Sequence, residues 1–426
     1  DIWNDTIEQL GAFPFDRKYH SALIEALSQS GAKAVLFLEP PTTKQLEKYP
    51  DIQVFGVAGK TRSLQTANME SELIAAFETI KSHQPLFVHY KVCSTFDSSE
   101  KIGSIGKAID CGIQIFEPTI VPVIGGAPGL GRYCAFGNLF ASFGIGSNGK
   151  IFRLDRHPSM RHHPVTPSLE SDLKILLAQQ TSCPVGLLDM LQMEDPIENW
   201  SSNVDNEKVV LLDTLNDQHL VSIGKWLMYL QQTTSPVFLV GGSSVETALG
   251  MNWTEAEILK STGSWPTIKP AEKLLVVSGS CSPITANQIK HALANGFVEI
   301  IVDVDEHDLN YYHDVVQKTL LVHDKLIVHS GPQKSKQMDA AIMGTMLGQI
   351  AKHATTHAGL QRIIIAGGDT SSYAARALDI EAVEMVTTII KGAPLCIIHS
   401  SNKNMNGVEV NFKGGQVGPE NYFSLF

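Results

Sequence analysis

The sequence predicts an α/β protein of two domains, each a mostly parallel sheet flanked by helices. Three observations predict it. Short β-branched runs alternate with helix-patterned segments along nearly the whole chain. The strand candidates are continuously apolar rather than alternating, as strands covered on both faces read. The chain has 426 residues, more than one ordinary domain of roughly 100–200 residues, so two cores are expected.

In chain order, the first strand candidates are AVLFL (34–38), IQVFGVA (52–58), LFVHYKV (86–92), IVPVI (120–124), VVLL (209–212) and VFLV (237–240). SALIEALSQSG and ESELIAAFETIKSH read as helices among them. A second series follows: LLVVS (274–278), EIIVDV (299–304), KLIVHS (325–330), RIIIAG (362–367) and PLCII (394–398), with helices TANQIKHALANG and MDAAIMGTMLGQIAKHA. Between the series lies 249–273, a polar stretch with glycine and two prolines. The expected domains are therefore 1–255 and 256–426.

The net charge of −11 argues against a nucleic-acid surface, which needs a basic patch to displace counterions. It does not argue against phosphate ligands, because backbone N–H groups bind those unaided. No segment approaches about 18 consecutive apolar residues, so no membrane span is expected. The acidic, polar opening DIWNDTIEQL predicts no signal peptide and a cytoplasmic protein. Cys93, Cys111, Cys134, Cys183, Cys281 and Cys396 form no C-x-x-C pair and read as buried, reduced thiols.

Ligands of open α/β sheets bind at the carboxyl ends of the strands. Small polar residues between a strand and a helix therefore mark candidate sites. LLVVSGSCSPITANQI ends its strand in Ser278, Gly279, Ser280, Cys281 and Ser282. RIIIAGGDTSSYAARAL ends its strand in Gly367, Gly368, Asp369 and Thr370. Glycines let the backbone fold back with exposed N–H groups, hydroxyls add donors, and a helix N-terminus adds positive potential. One such loop alone reads better as an N-cap. Two in one domain predict a polyphosphate cradle. A third stretch, Lys413-Gly414-Gly415-Gln416-Val417-Gly418, is by itself better read as a β-turn.

In the first domain Lys91 stands in an apolar run, where an unpaired ammonium is costly. Ser94, Thr95, Asp97 and Ser98 crowd the turn after it, a set suited to a small anionic, polyhydroxylated ligand. Arg62 follows another strand and has the fork geometry to grip a carboxylate. The nearby Gly59-Lys60-Thr61 lacks the upstream glycine of a phosphate-binding loop, since Val occupies position 54. GGAPGLGR (125–132) has the wrong glycine spacing for dinucleotide binding. His157, His162 and His163 lack partners at metal-ligand spacing. Asp303 and Asp305 read as capping residues before Mg²⁺ ligands.

Taken together, KVCSTFDSSEKIGSIGKAID, GAPGLGRYCAFGNLFA, HHPVTP, VVSGSCSPITANQI, GGDTSSYAARAL and KGGQVGPENYF resemble the four-carbon acid sugar kinase family, in family order from about residue 31 to the end. The resemblance implies a sugar-acid-binding domain over 1–255, a nucleotide-binding domain over 256–426, and an active site in the interdomain cleft. It implies ATP-dependent phosphorylation of a threonate, erythronate or 3-oxo-tetronate class acid, with Mg²⁺. Ser278, Gly279, Ser280, Ser282, Gly367, Gly368, Asp369, Thr370, Gly414 and Gly415 would hold the nucleotide. Arg62, Lys91, Ser94 and Asp97 would hold the acid. The partners implied are these small molecules, without nucleic acid or membrane; a homodimer is compatible with this.

The chain departs from the family at its start. An Asp-Asp-x-Thr-Gly loop is usual there, and this chain reads PFDRKYHSAL. Asp16 stands where one aspartate belongs, but the Thr and Gly are absent. His162 replaces the arginine usual before His-Pro-Val-Thr-Pro, with Arg161 adjacent. Asp16 and Asp97 are the general-base candidates. The main alternative is a catalytically impaired homologue that binds nucleotide or sugar acid. A nicotinamide-dependent oxidoreductase is a remote one.

Overall fold

The computed structural model describes residues 10–14, 20–59, 61–143, 149–163, 165–204, 207–260, 263–280, 282–303, 305–331, 340–367, 369–390, 392–415 and 417–426. The chain divides into two compact units at Thr262/Gly263, and residues 17–25 cluster with the second unit. No helix among the described residues is long and apolar enough to cross a membrane.

The first unit contains β1 (Leu10–Pro14), β2 (Ala34–Phe37), β3 (Val54–Val57), β4 (Phe87–Lys91), β5 (Val121–Ile124), β6 (Arg132–Ala135), β7 (Asn138–Ser142), β8 (Ile151–Arg153), β9 (Val185–Leu188), β10 (Val209–Leu212) and β11 (Val237–Gly241). Eight of them run parallel in the order β2-β3-β1-β4-β11-β5-β10-β9. β6, β7 and β8 form a separate antiparallel sheet.

Buried β-branched runs form the strands because both faces of the sheet are covered. The helix Ile105–Phe116 shows how it is covered. Ser104 Oγ accepts from the Lys107 amide as its N-cap, and Glu117 closes it in the left-handed region at φ 51°. Phe77, Phe116 and Phe238 meet with ring centroids 5.3–5.6 Å apart. Gly112 faces this cluster so closely that a Cβ there would lie 2.1 Å from Phe238 Cζ.

The second unit contains β12 (Leu274–Ser278), β13 (Val298–Ile301), β14 (Lys325–His329), β15 (Arg362–Ala366), β16 (Ala382–Ile390), β17 (Ala393–His399) and β18 (Glu409–Lys413). Their order is β13-β14-β12-β15-β18-β17-β16. The first five are parallel, and β18, β17 and β16 pair antiparallel. Leu274, Val276, Ile327, Ile364, Leu395, Tyr422 and Phe423 share its core. Arg362, 2 % exposed, donates to Glu409 Oε2 (2.7 Å) and to the carbonyls of Phe426 (2.7 Å) and Lys269 (2.9 Å).

The mostly parallel α/β class predicted above is the class observed. Every apolar run named there contains a strand. The strands the sequence did not announce include the short β6, β7 and β8, and also the apolar VGLL of β9 and the longer β16. β8 is largely exposed, and β16 is buried mainly at its start.

Gly112→Ala is expected to cost about 1–3 kcal/mol, because the added methyl overpacks the aromatic cluster. Chemical denaturation of the purified variant against the parent measures this.

Candidate functional site

In the first unit β3, β1, β4 and β11 are adjacent and parallel, so their carboxyl ends share one edge of the sheet. The loops after β3 and β4 are joined by backbone bonds: Thr66 N–H to the Lys101 carbonyl (2.8 Å) and Gly103 N–H to the Leu64 carbonyl (2.9 Å). Gly103 has φ +62°, and a Cβ on it would lie 2.4 Å from the Arg62 carbonyl oxygen. Only glycine fits such an approach.

That seam places Arg62 against Asp97. Arg62 Nη2 donates to Asp97 Oδ2 at 2.6 Å, and Thr95 Oγ1 donates to Oδ1 at 2.6 Å. The Asp97 side chain is 3 % exposed and Arg62 is 18 % exposed. Both carboxylate oxygens are thus engaged, which holds the guanidinium in a fixed orientation. Cys93 Sγ lies 2.9 Å from Thr95 Oγ1, and burial, with Asp97 adding, pushes the thiol pKa up. Lys91 ends β4 and is buried opposite Gly241 of β11. Ser94 lies beside Gly242, whose missing Cβ would be 3.6 Å from its Cα. Arg62 thus follows β3, and Lys91, Ser94 and Asp97 end or follow β4, two strands flanking β1 in the same parallel sheet. Asp16 lies outside the described residues.

Sequence reasoning missed the neighbour of this group, the loop after β11. Gly241-Gly242-Ser243-Ser244 precedes the helix Ser244–Glu255 and repeats the strand–glycine–hydroxyl–helix pattern used elsewhere to nominate sites. It is tied to β4 through His89, whose Nδ1 lies 2.6 Å from Glu246 Oε1 and whose Nε2 lies 3.0 Å from the Gly241 carbonyl.

In the second unit β12, β15 and β18 are adjacent and parallel, and the three loops nominated from sequence follow them. The loops touch. A Cβ on Gly415 would lie 2.8 Å from Ser280 Oγ and 3.3 Å from Ser282 Cβ. Gly367 N–H donates to the Lys413 carbonyl at 2.9 Å. Thr285 Oγ1 donates to the Gly415 carbonyl at 2.7 Å. Ser282 Oγ caps the helix Pro283–Ala294 by accepting from Ile284 N–H. Gln288 Nε2 donates to the carbonyls of Val417, Gly418 and Pro419 at 2.9–3.1 Å, fixing the turn beyond Gly415. Asp369 and Thr370 open the helix Asp369–Ala377, of whose first side chains nothing is described, and Gly368 lies outside the described residues.

Behind this turn sits Lys413, 1 % exposed. Its Nζ donates to Thr285 Oγ1 (3.1 Å) and the Gly414 carbonyl (3.0 Å), and lies 5.5 Å from the Tyr422 ring centroid. Burial pushes its pKa down to about 8. Sequence reasoning saw this residue only as the start of a turn.

Other polar motifs are used locally. Thr61 opens a three-residue 3₁₀ turn with its hydroxyl 2.9 Å from Tyr90 Oη. His157 Nδ1 accepts from the amides of Ser159 and Met160, and His163 Nδ1 from that of Thr166. Asp303 Oδ1 accepts from Asp305 N–H. Among the described residues no cluster of three or more His, Cys, Asp or Glu side chains is placed to hold a metal.

Comparison with known proteins follows the same division. A sugar-binding N-terminal domain family matches residues 21–249, and a nucleotide-binding C-terminal domain family matches residues 275–423. A 3-oxo-isoapionate kinase of Paraburkholderia graminis is 34 % identical over 94 % of this chain and 90 % of its own. A 3-oxo-tetronate kinase of Pectobacterium atrosepticum is 26 % identical over 88 % of each chain. Solved structures from Salmonella typhimurium (TM-score 0.78, 20 % identity) and Haemophilus influenzae (TM-score 0.75, 18 % identity) share the fold across 98 % of both chains. With both domain families matched in order and a relative this similar along nearly its whole length, the chain belongs to the four-carbon acid sugar kinase family of phosphotransferases.

Proposed function

We propose that this protein transfers the γ-phosphoryl group of ATP to a hydroxyl of a small sugar acid of the four-carbon class. The observation that carries the reading is the meeting of three glycine-bearing turns, two of them rich in hydroxyls, at the ends of β12, β15 and β18, with a buried ammonium behind them. The names of the kinase relatives support it and supply the acceptor class.

The second unit's residues fit a triphosphate. Gly415 leaves open a space that a Cβ would fill against Ser280, and hydroxyls of Ser278, Ser280 and Ser282 stand on the same loop. Gly279, Gly367, Gly368, Gly414 and Gly415 allow close approach of backbone to phosphate, and Asp369 and Thr370 begin a helix whose N-terminus favours anions. Mg²⁺ arriving with the nucleotide would supply neutralisation of the phosphate charge, and these loops would hold the complex.

The first unit would hold the acceptor. Arg62 is already fixed by Asp97, so its guanidinium would meet a carboxylate with little side-chain freedom left to lose on binding. Lys91, at the end of β4, and Ser94, in the loop after it, would hold the carboxylate and a hydroxyl. A proton must leave the attacking hydroxyl. Asp97 and Asp16 are the candidates, and Asp97 would have to give up one of its two hydrogen bonds to take it.

Transfer of ³²P from [γ-³²P]ATP to a panel of threonate, erythronate, 3-oxo-tetronate and 3-oxo-isoapionate tests the proposal. Labelled acid phosphate from at least one member is expected. Bound nucleotide with no transfer to any acid would leave a binding protein and not a kinase. Gly415→Ala is expected to raise the KM for ATP about tenfold or more, because its methyl occupies the space beside Ser280, while the acid KM changes little. Arg62→Met strands a buried carboxylate and is expected to cost about 3–5 kcal/mol. Arg62→Met with Asp97→Asn should cost less than the sum of the two single changes. Urea unfolding of all four proteins reads this coupling.

A further inference from the structure

Lys413 is buried, and no carboxylate pairs with it among the described residues. An ammonium so placed is costly, and an apolar side chain of similar volume would fill the space at less cost. Its two hydrogen bonds suggest why a cation stands there. Nζ donates directly to the Gly414 carbonyl. It also donates to Thr285 Oγ1, which passes its own hydrogen to the Gly415 carbonyl. Both carbonyls of the glycine turn are therefore drawn inward. In a trans peptide the N–H points opposite to the carbonyl of the preceding residue. Drawing the Gly414 carbonyl in thus turns the Gly415 N–H away from the ammonium.

We propose that Lys413 is the positioning charge of the nucleotide site, holding the Gly414 carbonyl directly and the Gly415 carbonyl through Thr285 so that the turn offers N–H groups to phosphate, and that, with no carboxylate partner among the described residues, it takes its counter-charge from the bound nucleotide. This rests on the nucleotide reading above. The charged form of Lys413 is then favoured by nucleotide. Without ligand the ammonium loses its proton as pH rises through about 8. Between that pH and the higher pKa of the bound state, binding takes up a proton and affinity falls as pH rises. The unliganded protein shows the opposite trend. Its lysine pKa is depressed below the unfolded value, so the penalty of the buried charge is fully present below pH 8 and is relieved above it.

Other groups around Lys413 do not imitate this. Tyr422 donates its hydroxyl to Asn411 Oδ1, and burial pushes its pKa far up, so it stays neutral. Arg362 and Glu409 pair with each other at the opposite ends of β15 and β18. On the helix Pro283–Ala294, Thr285 and Gln288 face inward uncharged, Lys290 is exposed and His291 is half-buried. The Asp369 side chain lies outside the described residues.

The test is calorimetric titration of ADP with excess Mg²⁺ into the whole protein, Lys413→Met and Lys413→Arg, from pH 7.0 to 9.0, in buffers of different ionisation enthalpy. For the parent, the Kd is expected to be level to about pH 7.5 and to rise by up to about tenfold per pH unit above 8, with net proton uptake. Lys413→Met should bind about tenfold or more weakly at pH 7, without pH dependence or proton uptake, and unfold at no lower temperature than the parent. Lys413→Arg, which keeps its charge, should bind at pH 9 as it does at pH 7. Parental affinity and pH dependence in Lys413→Met would overturn the proposal and leave the nucleotide reading standing. A parent that binds no ADP at any pH would overturn both. Should Lys413→Met fail to fold, a parent Kd independent of pH with no proton uptake overturns it equally.

Discussion

The nucleotide half of this protein depends on strand register. Leu274, Arg362 and Glu409 lie side by side at one end of β12, β15 and β18, and Ser278, Ala366 and Lys413 at the other. That alignment delivers three loops to one place. A slip of one residue in β18 would swing Lys413 to the opposite face and carry Glu409 away from Arg362. The Arg362 bonds to Glu409 and to the Lys269 and Phe426 carbonyls resist that slip, at the end of the strands away from the site. A polar clamp at one end thus sets the position of the chemistry at the other.

The two units treat buried charge differently. In the first, Arg62 and Asp97 satisfy each other and Thr95 occupies the remaining oxygen. In the second, the partners of Lys413 among the described residues are neutral. The first arrangement fixes a guanidinium in place before any ligand arrives. The second keeps a positive charge that only an anion can compensate. On the function proposed above, a short carboxylic acid would meet the first arrangement and a polyphosphate the second.

Much of the fold was legible in the sequence, because strands buried on both faces cannot hide. VVLL at 209–212 is apolar throughout, as is IIIA at 363–366 behind Arg362, and both form interior strands of their sheets. β6, β7 and β8 were not legible, since strands of three to five residues, two of them joined by the tight turn at Phe136-Gly137, are too short to display a period. The candidate residues were legible where glycine and hydroxyls follow a strand. The same rule applied to VFLVGGSSVE would have found Gly242 and Ser244, and the sequence reading passed them over. What the sequence could not offer was the role of Lys413. Its burial arises from Thr285, Tyr422 and Gly414 closing around it, and two of these contacts are made by residues far along the chain or beyond a turn.

The strand order carries a consequence for how the second unit comes into being. β18 is the last strand of its sheet in sequence, yet it lies between β15 and β17. While the ribosome is still translating the stretch before residue 409, β15 and the β16–β17 hairpin have no central member to join them. The newborn sheet therefore carries a gap with unsatisfied backbone on both sides. Residues 409–413 must be threaded into it before this half can close. The joining of β18 to its neighbours and the completion of the Gly414–Gly415 turn therefore go together, and a chain made only to residue 408 holds neither.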